Sequence, residues 1–129
     1  MNKKIIPFGG GFPLSKAIIH NAEYTMEISG QIGINPETKE LEDGIEKQTE
    51  RVMQIIKEIL EHEGWKMSNI VKTRIYLKDM KDYAKMNEVY SKYFSEDYPT
   101  RFALAVKEMP RDALVEIDCT AVGDSISEN

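Results

Sequence analysis

Pro99-Thr100-Arg101-Phe102-Ala103-Leu104-Ala105-Val106 and, after a short turn, Ala113-Leu114-Val115-Glu116-Ile117 are apolar segments with the composition of β-strands. Each contains one charged residue, Arg101 in the first segment and Glu116 in the second. Burying a charge in a sheet costs several kcal/mol unless a partner satisfies it. The two residues therefore indicate either a structural ion pair or a functional site.

An antiparallel pairing of these two strands, aligned by their middles, would put Arg101 and Glu116 on one face within a rung or two. Arg101 is the better candidate for a functional charge, because a guanidinium stays protonated and its planar fork matches a carboxylate in two hydrogen bonds. Its natural ligand is a small carboxylate. Glu116 could supply that carboxylate itself, or it could hold a water or a proton beside a substrate bound to Arg101. The residues alone leave both interpretations open.

The composition is that of an ordinary globular protein and argues against several classes of function. With 129 residues the chain is predicted to form one domain over residues 1–129, with 125–129 as a loose tail. No apolar run approaches the ~18 residues of a membrane helix, and no signal peptide is recognisable, so we expect a cytoplasmic protein without a membrane partner. The net charge of −5 argues against a nucleic-acid partner, which usually requires a basic surface.

Cysteine and histidine are too sparse to predict a metal centre or a cofactor. Cys119 is the single cysteine, so an intrachain disulfide is excluded, and His20 and His62 belong to different predicted elements. We expect Cys119 to be a buried, inert thiol, because no lysine or histidine adjoins it in the sequence. Both histidines are expected to be structural.

Hydrophobic periodicity predicts an α+β fold with two helices packed on one face of a sheet. The first helix, over residues 44–63, has apolar residues at i, i+3, i+4 and i+7, and Gly64 stands where a helix ends. The second helix is predicted over residues 80–94. Alternating apolar residues predict strands at 17–20, 23–28, 70–77, 102–107 and 114–122, the first two joined as a hairpin by 21–22.

Two helices on one face leave the other face of the sheet uncovered. In the last two strands both faces are substantially apolar, whereas a solvent-facing antiparallel sheet alternates more cleanly. We therefore expect self-association to bury the second face, because a large exposed apolar patch is a liability. The alternative is a ligand cavity under a loop.

Several short motifs occur in a recognisable order along most of the chain. They are Ser29-Gly30-Gln31 at the end of a strand, Asn35-Pro36-Glu37-Thr38 in a loop, Asn87 with Tyr90 and Phe94 in the second helix, Pro99-Thr100-Arg101, and Val115-Glu116-Ile117. The spacing of the last two motifs is the most specific feature. The chain resembles the RidA family, also called YjgF.

This resemblance implies a chorismate-mutase-like α+β subunit with a mixed sheet, assembled as a homotrimer whose sheets line the centre and whose clefts lie between subunits. The implied activity is hydrolysis of reactive 2-imino acids and enamines, such as 2-aminoacrylate, to 2-keto acids and ammonia, with no cofactor or metal. The small acid is the implied partner. A non-catalytic trimer that binds a keto acid is the alternative. Ribonuclease activity, reported for some members, fits the acidic charge poorly.

The same resemblance assigns roles to individual residues. Arg101 corresponds to the arginine that grips the substrate carboxylate, and Glu116 to the glutamate that positions the attacking water. Ser29 and Gly30 correspond to the cleft wall, and Asn87 to a helix asparagine beside the arginine. Asn87 could equally satisfy a backbone group on the buried side of its helix.

Two positions depart from the family pattern. Leu14 stands where many members have a cleft-closing tyrosine, and Ala103 stands where a cysteine follows the arginine by two residues. Both changes remove a polar contact, so the expected pocket is more apolar and its substrate preference is open, while the arginine clamp is kept. Tyr83, Tyr90 and Tyr93 are expected in the core or an interface rather than in an aromatic cage.

Overall fold

A computed structural model of the protein describes residues 1–128. The elements along the chain are β1 (Lys3–Pro7), β2 (Ser15–His20), β3 (Tyr24–Ile32), α1 (Gly44–His62), β4 (Ile70–Leu77), α2 (Tyr83–Ser91), β5 (Thr100–Ala105) and β6 (Val115–Gly123), with short 3-10 helices at Met67–Asn69, Met80–Asp82 and Pro110–Asp112. Four strands form a mixed sheet in the order β3-β6-β4-β5, and both α-helices pack on one of its faces. The predicted α+β architecture is confirmed.

Helix α1 forms where the apolar stripe predicts it, and its end differs from the predicted limit by one residue. Its buried side chains fill the space between the helix and the sheet. They include Ile45, Val52, Met53, Ile56 and Leu60. Gly64 has a φ of 80°, a left-handed conformation that glycine adopts without steric cost and that ends the helix.

Helix α2 is shorter than the predicted 80–94. A 3-10 turn precedes it, in which the Asp79 carboxylate accepts a hydrogen bond from the Lys81 backbone at 2.9 Å. The helix ends at Ser91, and the chain then turns so that the Tyr93 hydroxyl donates to the Glu50 carboxylate of α1. Tyr93 therefore ties the segment after α2 to α1 and packs against the core, in agreement with its predicted place in the core or an interface.

Strands β5 and β6 are not neighbours, so the predicted pairing of these two strands is wrong. Strand β4 lies between them, parallel to β5 and antiparallel to β6. Helix α2 connects β4 to β5, and a helical crossover of this kind returns the chain in its original direction, which makes the pair parallel. The alternation of apolar residues in β5 and β6 shows which side chains are buried but not which strands are neighbours. It therefore could not reveal that β4 lies between them.

The intervening strand also places Arg101 and Glu116 on opposite faces of the sheet. Thr73 pairs with Arg101 on one side and with Cys119 on the other, so these three residues share the face that the helices cover. Glu116 pairs with Tyr76 and, three residues from Cys119 along β6, points to the open face. The expectation that Arg101 and Glu116 share one face of a single chain is therefore wrong.

Strand β1 was not predicted, and its presence changes the pairing of β2. The two strands form a separate antiparallel hairpin, so the hairpin predicted between 17–20 and 23–28 does not exist. The sequence conceals β1 because it is short, begins with two lysines and ends at Pro7. The Ser15 backbone N–H donates to the Pro99 carbonyl at 3.0 Å, which holds this hairpin beside the start of β5.

The end of the chain is attached to the region after α1. The Trp65 indole donates to the Ser125 carbonyl at 2.9 Å, and the Ser127 backbone N–H donates to the Glu63 carboxylate. The predicted loose tail is therefore wrong for residues 125–127, because its backbone finds side-chain partners that the sequence pattern does not reveal. Residue 129 of that predicted tail lies outside the described residues.

The open face of the sheet carries both apolar and charged side chains. Phe102 and Leu104 are 38% and 42% exposed, and Arg74 pairs with Asp118 at 2.6 Å. Self-association would cover these exposed apolar side chains. Trimer formation stays a prediction, and the open face of the sheet is the surface that it would bury. Within residues 1–128, neither helix combines the length and the hydropathy that a membrane crossing requires.

We expect alkaline pH to destabilise this fold. Burial raises the pKa of the Cys119 thiol and of the Tyr90 phenol, each to about 12. Between about pH 9 and pH 12 the unfolded chain loses protons that the folded chain retains, so the free energy of unfolding falls as pH rises. Each of the two groups contributes a decline of up to about 1.4 kcal/mol per pH unit. Urea unfolding at a series of pH values measures this decline. Cys119→Ala should remove the part of this decline in unfolding free energy that begins near pH 9, the ordinary pKa of a thiol. An unchanged decline in this variant would contradict the assignment of that part to Cys119.

Candidate functional site

The Arg101 guanidinium lies over two tyrosine rings of α2 on the helix-covered face. Its Cζ atom is 5.6 Å from the centroid of the Tyr83 ring and 5.1 Å from that of Tyr90. Its Nη2 atom donates to the Tyr83 hydroxyl at 3.0 Å. The aromatic contacts and this hydrogen bond fix the plane of the guanidinium fork.

The two tyrosines differ in environment. Tyr90 is fully buried, shares a 2.8 Å hydrogen bond with the Thr73 hydroxyl, and has a pKa raised to about 12 by burial. The pKa of Tyr83 is lowered, chiefly by a hydrogen bond from the Asn87 side chain and further by the Arg101 charge, against the opposing effect of burial. Arg101 therefore donates to the Tyr83 oxygen, and the Asn87 amide faces the same phenol from the next turn of α2.

Two enclosed polar atoms at this position have no hydrogen-bond partner among residues 1–128. They are Nη1 of Arg101 and Oδ1 of Asn87. An enclosed donor or acceptor without a partner costs about 1–3 kcal/mol, so native proteins rarely tolerate one. The one other such atom in the described part of the chain, Thr49 Oγ1, belongs to α1. The concentration of unmet hydrogen bonds beside Arg101 indicates a ligand site.

The contact between Tyr83 and Arg101 is absent from the sequence-based prediction, which places Tyr83 in the core or an interface. Tyr83, Asn87 and Tyr90 occupy positions i, i+4 and i+7 of one helical stretch, so a single face of α2 presents all three to Arg101. The i, i+4 spacing of Tyr83 and Asn87 was the feature of the sequence that could have predicted their contact. Tyr90 is in the core as predicted, and its ring also contacts the guanidinium.

Glu116 lies with Ser29 and Gly30 on the open face. The pairing of β3 with β6 shifts register between Ile28 and Gln31, which creates a bulge at Ser29 and Gly30. A Cβ atom built on Gly30 would lie 2.9 Å from Cδ of Glu116 and closer still to Oε2, so only glycine fits against this carboxylate as it stands. The Ser29 carbonyl accepts a hydrogen bond from the Gln31 side chain at 3.0 Å.

A cavity of 390 Å³ opens on the same face of the sheet, next to the bulge at Ser29 and Gly30. It is lined by Glu27, Ile28, Ser29, Gly30, Arg74, Asp118 and Cys119. The pKa of Arg74 is raised, chiefly by its hydrogen bond to Asp118, which already neutralises its charge. Arg74 therefore already has a carboxylate partner within the same chain. Among the described residues, no cluster of three or more His, Cys, Asp or Glu side chains is placed to hold a metal ion.

Ala103 shares the face of Arg101, and Leu14 lies at the end of the segment that is bonded beside the start of β5. Ala103 pairs with Ile75 and follows Arg101 by two residues, so it points to the same face. Leu14 is half-buried and precedes Ser15, which is bonded beside the start of β5. The site residues thus fall into an arginine group (Leu14, Tyr83, Asn87, Arg101, Ala103) and a glutamate group (Ser29, Gly30, Glu116).

Comparison with known proteins identifies the family. The family model described as Endoribonuclease L-PSP matches residues 11–123. The crystal structure of RidA from an Antarctic Psychrobacter species superposes with a TM-score of 0.75 at 38% identity, covering 91% of this chain and 93% of that one. The chain belongs to the RidA/YjgF family. The resemblance drawn from the motifs is confirmed.

Other RidA/YjgF relatives also cover most of the chain. The RutC family protein of Aquifex aeolicus is 42% identical over 122 residues, which are 93% of this chain and 94% of that protein. The YjgF gene product of E. coli superposes with a TM-score of 0.72 at 32% identity, covering 91% of this chain and 92% of that one. E. coli TdcF, solved with bound serine, superposes with a TM-score of 0.72 at 30% identity, with the same coverage.

Proposed function

We propose that the protein hydrolyses reactive 2-imino acids and enamines of the 2-aminoacrylate type to 2-keto acids and ammonia. The observation that carries this proposal is the enclosed Nη1 of Arg101, which lacks an acceptor within residues 1–128 while Nη2 is held by Tyr83. A ligand carboxylate would supply that acceptor. Membership of the RidA family supports the reaction class, and the serine bound to TdcF supports a small ligand with a carboxylate.

The arginine group and the glutamate group need a second subunit to meet. Side chains on opposite faces of one sheet point away from each other, so one small ligand would not contact Arg101 and Glu116 of the same chain. We infer that Arg101 of one subunit faces Glu116 of its neighbour across the clefts of a homotrimer. The same assembly would cover Phe102 and Leu104, which are exposed on the open face.

The reaction asks little of the protein beyond positioning. A protonated imine is already electrophilic at carbon, so a fixed carboxylate and an oriented water suffice. Glu116 takes a proton from the water while the water oxygen bonds to the imine carbon and the C=N π electrons move to nitrogen. The Glu116 carboxyl then protonates the nitrogen, and ammonia leaves with the C–N bonding electrons. The regenerated Glu116 carboxylate takes the hydroxyl proton as the keto carbonyl forms and passes it to the released ammonia or to solvent.

The direct test generates the imine in solution with a threonine or serine dehydratase and follows the appearance of the keto acid. Added protein should accelerate hydrolysis over the spontaneous rate in proportion to its concentration. No acceleration of any imine by a folded, assembled sample would contradict the proposal. Measurement of the mass in solution tests the assembly, and a stable monomer would contradict a site between subunits.

We expect Gly30→Ala to lower activity without unfolding the protein. The new Cβ would overlap the end of the Glu116 side chain, which can rotate away but then leaves its working position. Gly33→Ala is the matched control, because its Cβ would lie 2.7 Å from the Gln48 carbonyl oxygen in the backbone of α1, which cannot move alone. We expect the Gly33 variant to melt several degrees lower and the Gly30 variant to melt like wild type with at least about fivefold slower imine hydrolysis. Full activity of the Gly30 variant would argue against Glu116 as the base.

The alternative function is binding of a keto acid without turnover. It is favoured by one observation, that the arginine group is complete within one chain while Glu116 lies on the opposite face. Saturable binding of 2-oxobutanoate that depends on Arg101, together with no acceleration of any imine, would establish this alternative.

The family model's description raises RNA cleavage as a further activity to test. The net charge of −5 opposes binding to a polyanion, so we infer that RNA is not a partner and that the protein acts on small molecules in the cytoplasm. RNA cleavage by a highly purified sample, abolished by Glu116→Ala, would overturn this inference.

A further inference from the structure

Tyr83 orients the two groups that flank it. Its hydroxyl oxygen accepts a hydrogen bond from Nη2 of Arg101 at 3.0 Å. The Asn87 side chain, one turn further along α2, lowers the pKa of the phenol, which is the effect of a donor that faces the oxygen. Oδ1 of Asn87 is enclosed and has no partner among the described residues, so the oxygen end of this amide is the one left to a ligand. Tyr83 therefore determines which end of the Asn87 amide is free.

The two unpartnered atoms of the residues that neighbour Tyr83 are chemically complementary to one class of ligand. Nη1 of Arg101 is a donor and requires an acceptor, whereas Oδ1 of Asn87 is an acceptor and requires a donor. A carboxylate satisfies only the first requirement. A 2-imino or 2-amino acid satisfies both, because its carboxylate lies one carbon from a nitrogen that bears hydrogen.

A 2-keto acid would leave this arrangement incomplete. Its carboxylate can accept from Arg101, but its keto oxygen has no hydrogen to donate, so Oδ1 of Asn87 would stay enclosed and unpartnered. The free-energy cost of an enclosed acceptor would then weaken binding of the keto acid relative to a ligand with an N–H group.

We propose that Oδ1 of Asn87 accepts a hydrogen bond from the N–H group of the bound acid, and that Tyr83 is the positioning residue that holds the amide in this orientation. This inference rests on the proposed function and adds to it a means of discriminating the nitrogen-bearing substrate from the keto-acid product. Product release follows from the same contact, because hydrolysis removes the hydrogen that Asn87 binds.

The test compares the affinities of the full-length wild-type protein and its variants for 2-aminobutanoate and 2-oxobutanoate, measured by calorimetry under identical conditions. The wild-type protein should prefer the amino acid by about tenfold, the value of one hydrogen bond to a charged group. Asn87→Leu, which keeps the branched shape but not the amide, should lose that preference while its affinity for 2-oxobutanoate changes by less than about threefold. Asn87→Asp keeps an acceptor and should retain the preference. Tyr83→Phe should reduce it, because the amide is then free to turn.

Equal affinity of the wild-type protein for the two acids, or no measurable binding of either, would overturn the inference. An equal loss of both affinities in Asn87→Leu would also overturn it, because a purely structural asparagine would give that result. If Asn87→Leu does not fold, Tyr83→Phe and Asn87→Asp still decide between the outcomes. Failure of the proposed function is a separate result, since it appears as a lack of imine hydrolysis by the wild-type protein or as insensitivity to Arg101→Ala.

Discussion

Arg101→Ala is expected to lower kcat/KM for imine hydrolysis by more than about tenfold. A charge-assisted contact between guanidinium and carboxylate contributes about 1.5–3 kcal/mol, and its loss removes both the anchor and the orientation of the substrate. Arg101→Lys keeps the charge but not the planar fork, so its activity should lie between those of the alanine variant and the wild type. The coupled dehydratase assay measures both variants.

Arg111→Ala is the matched control for the removal of an arginine. Arg111 is exposed and donates to the Lys39 carbonyl at 3.1 Å, and it belongs to neither the arginine group nor the glutamate group. This variant should hydrolyse imines at the wild-type rate. If Arg101→Ala does so as well, with an unchanged fold, the proposed carboxylate clamp is wrong.

Mixing two inactive variants is expected to restore activity. If each site takes its arginine from one subunit and its glutamate from the next, trimers that combine Arg101→Ala with Glu116→Ala chains contain some intact sites. Random assembly at equal concentrations makes each residue intact in half of the sites, so about one quarter of the wild-type activity should return. The measurement uses the two variants refolded together from urea and assayed as one sample.

Each variant refolded alone is the control for this experiment and should remain inactive. Wild-type protein taken through the same procedure sets the full activity. Recovery confined to the mixture would show that the residues act across a subunit boundary. Co-assembled chains without recovery would contradict a site that takes Arg101 from one subunit and Glu116 from the next.

The elements that could be predicted from the sequence are those fixed by local pattern. The stripe of α1 and the alternation of β4 each allow only one buried face, and the structure has β4 at the predicted 70–77. Helix α2 is overestimated because apolar residues continue after Ser91, where they pack in a turn instead of a helix. Periodicity reports burial and cannot distinguish these two arrangements.

Strand partners could not be predicted, because pairing depends on tertiary contacts rather than local pattern. The presence of β4 between β5 and β6 follows from the crossover through α2, and this arrangement moves Arg101 and Glu116 to different faces. The motifs indicated candidate residues but not which of them lie on the same face of the sheet. Tyr83 was missed because an aromatic residue on a helix is far more often part of the core than of a polar site.

The bulge at Ser29 and Gly30 has a consequence for the solubility of folded subunits. Strand β3 is an outer strand of the four-stranded sheet, and a regular outer strand offers a continuous row of backbone groups to which a strand of another molecule can add. The register shift interrupts that row at its middle, and the Gln31 side chain already occupies the Ser29 carbonyl. The glycine that accommodates the Glu116 carboxylate thus also protects the sheet edge against fibrous aggregation, so that association is directed to the faces of the sheet, where a closed assembly can form.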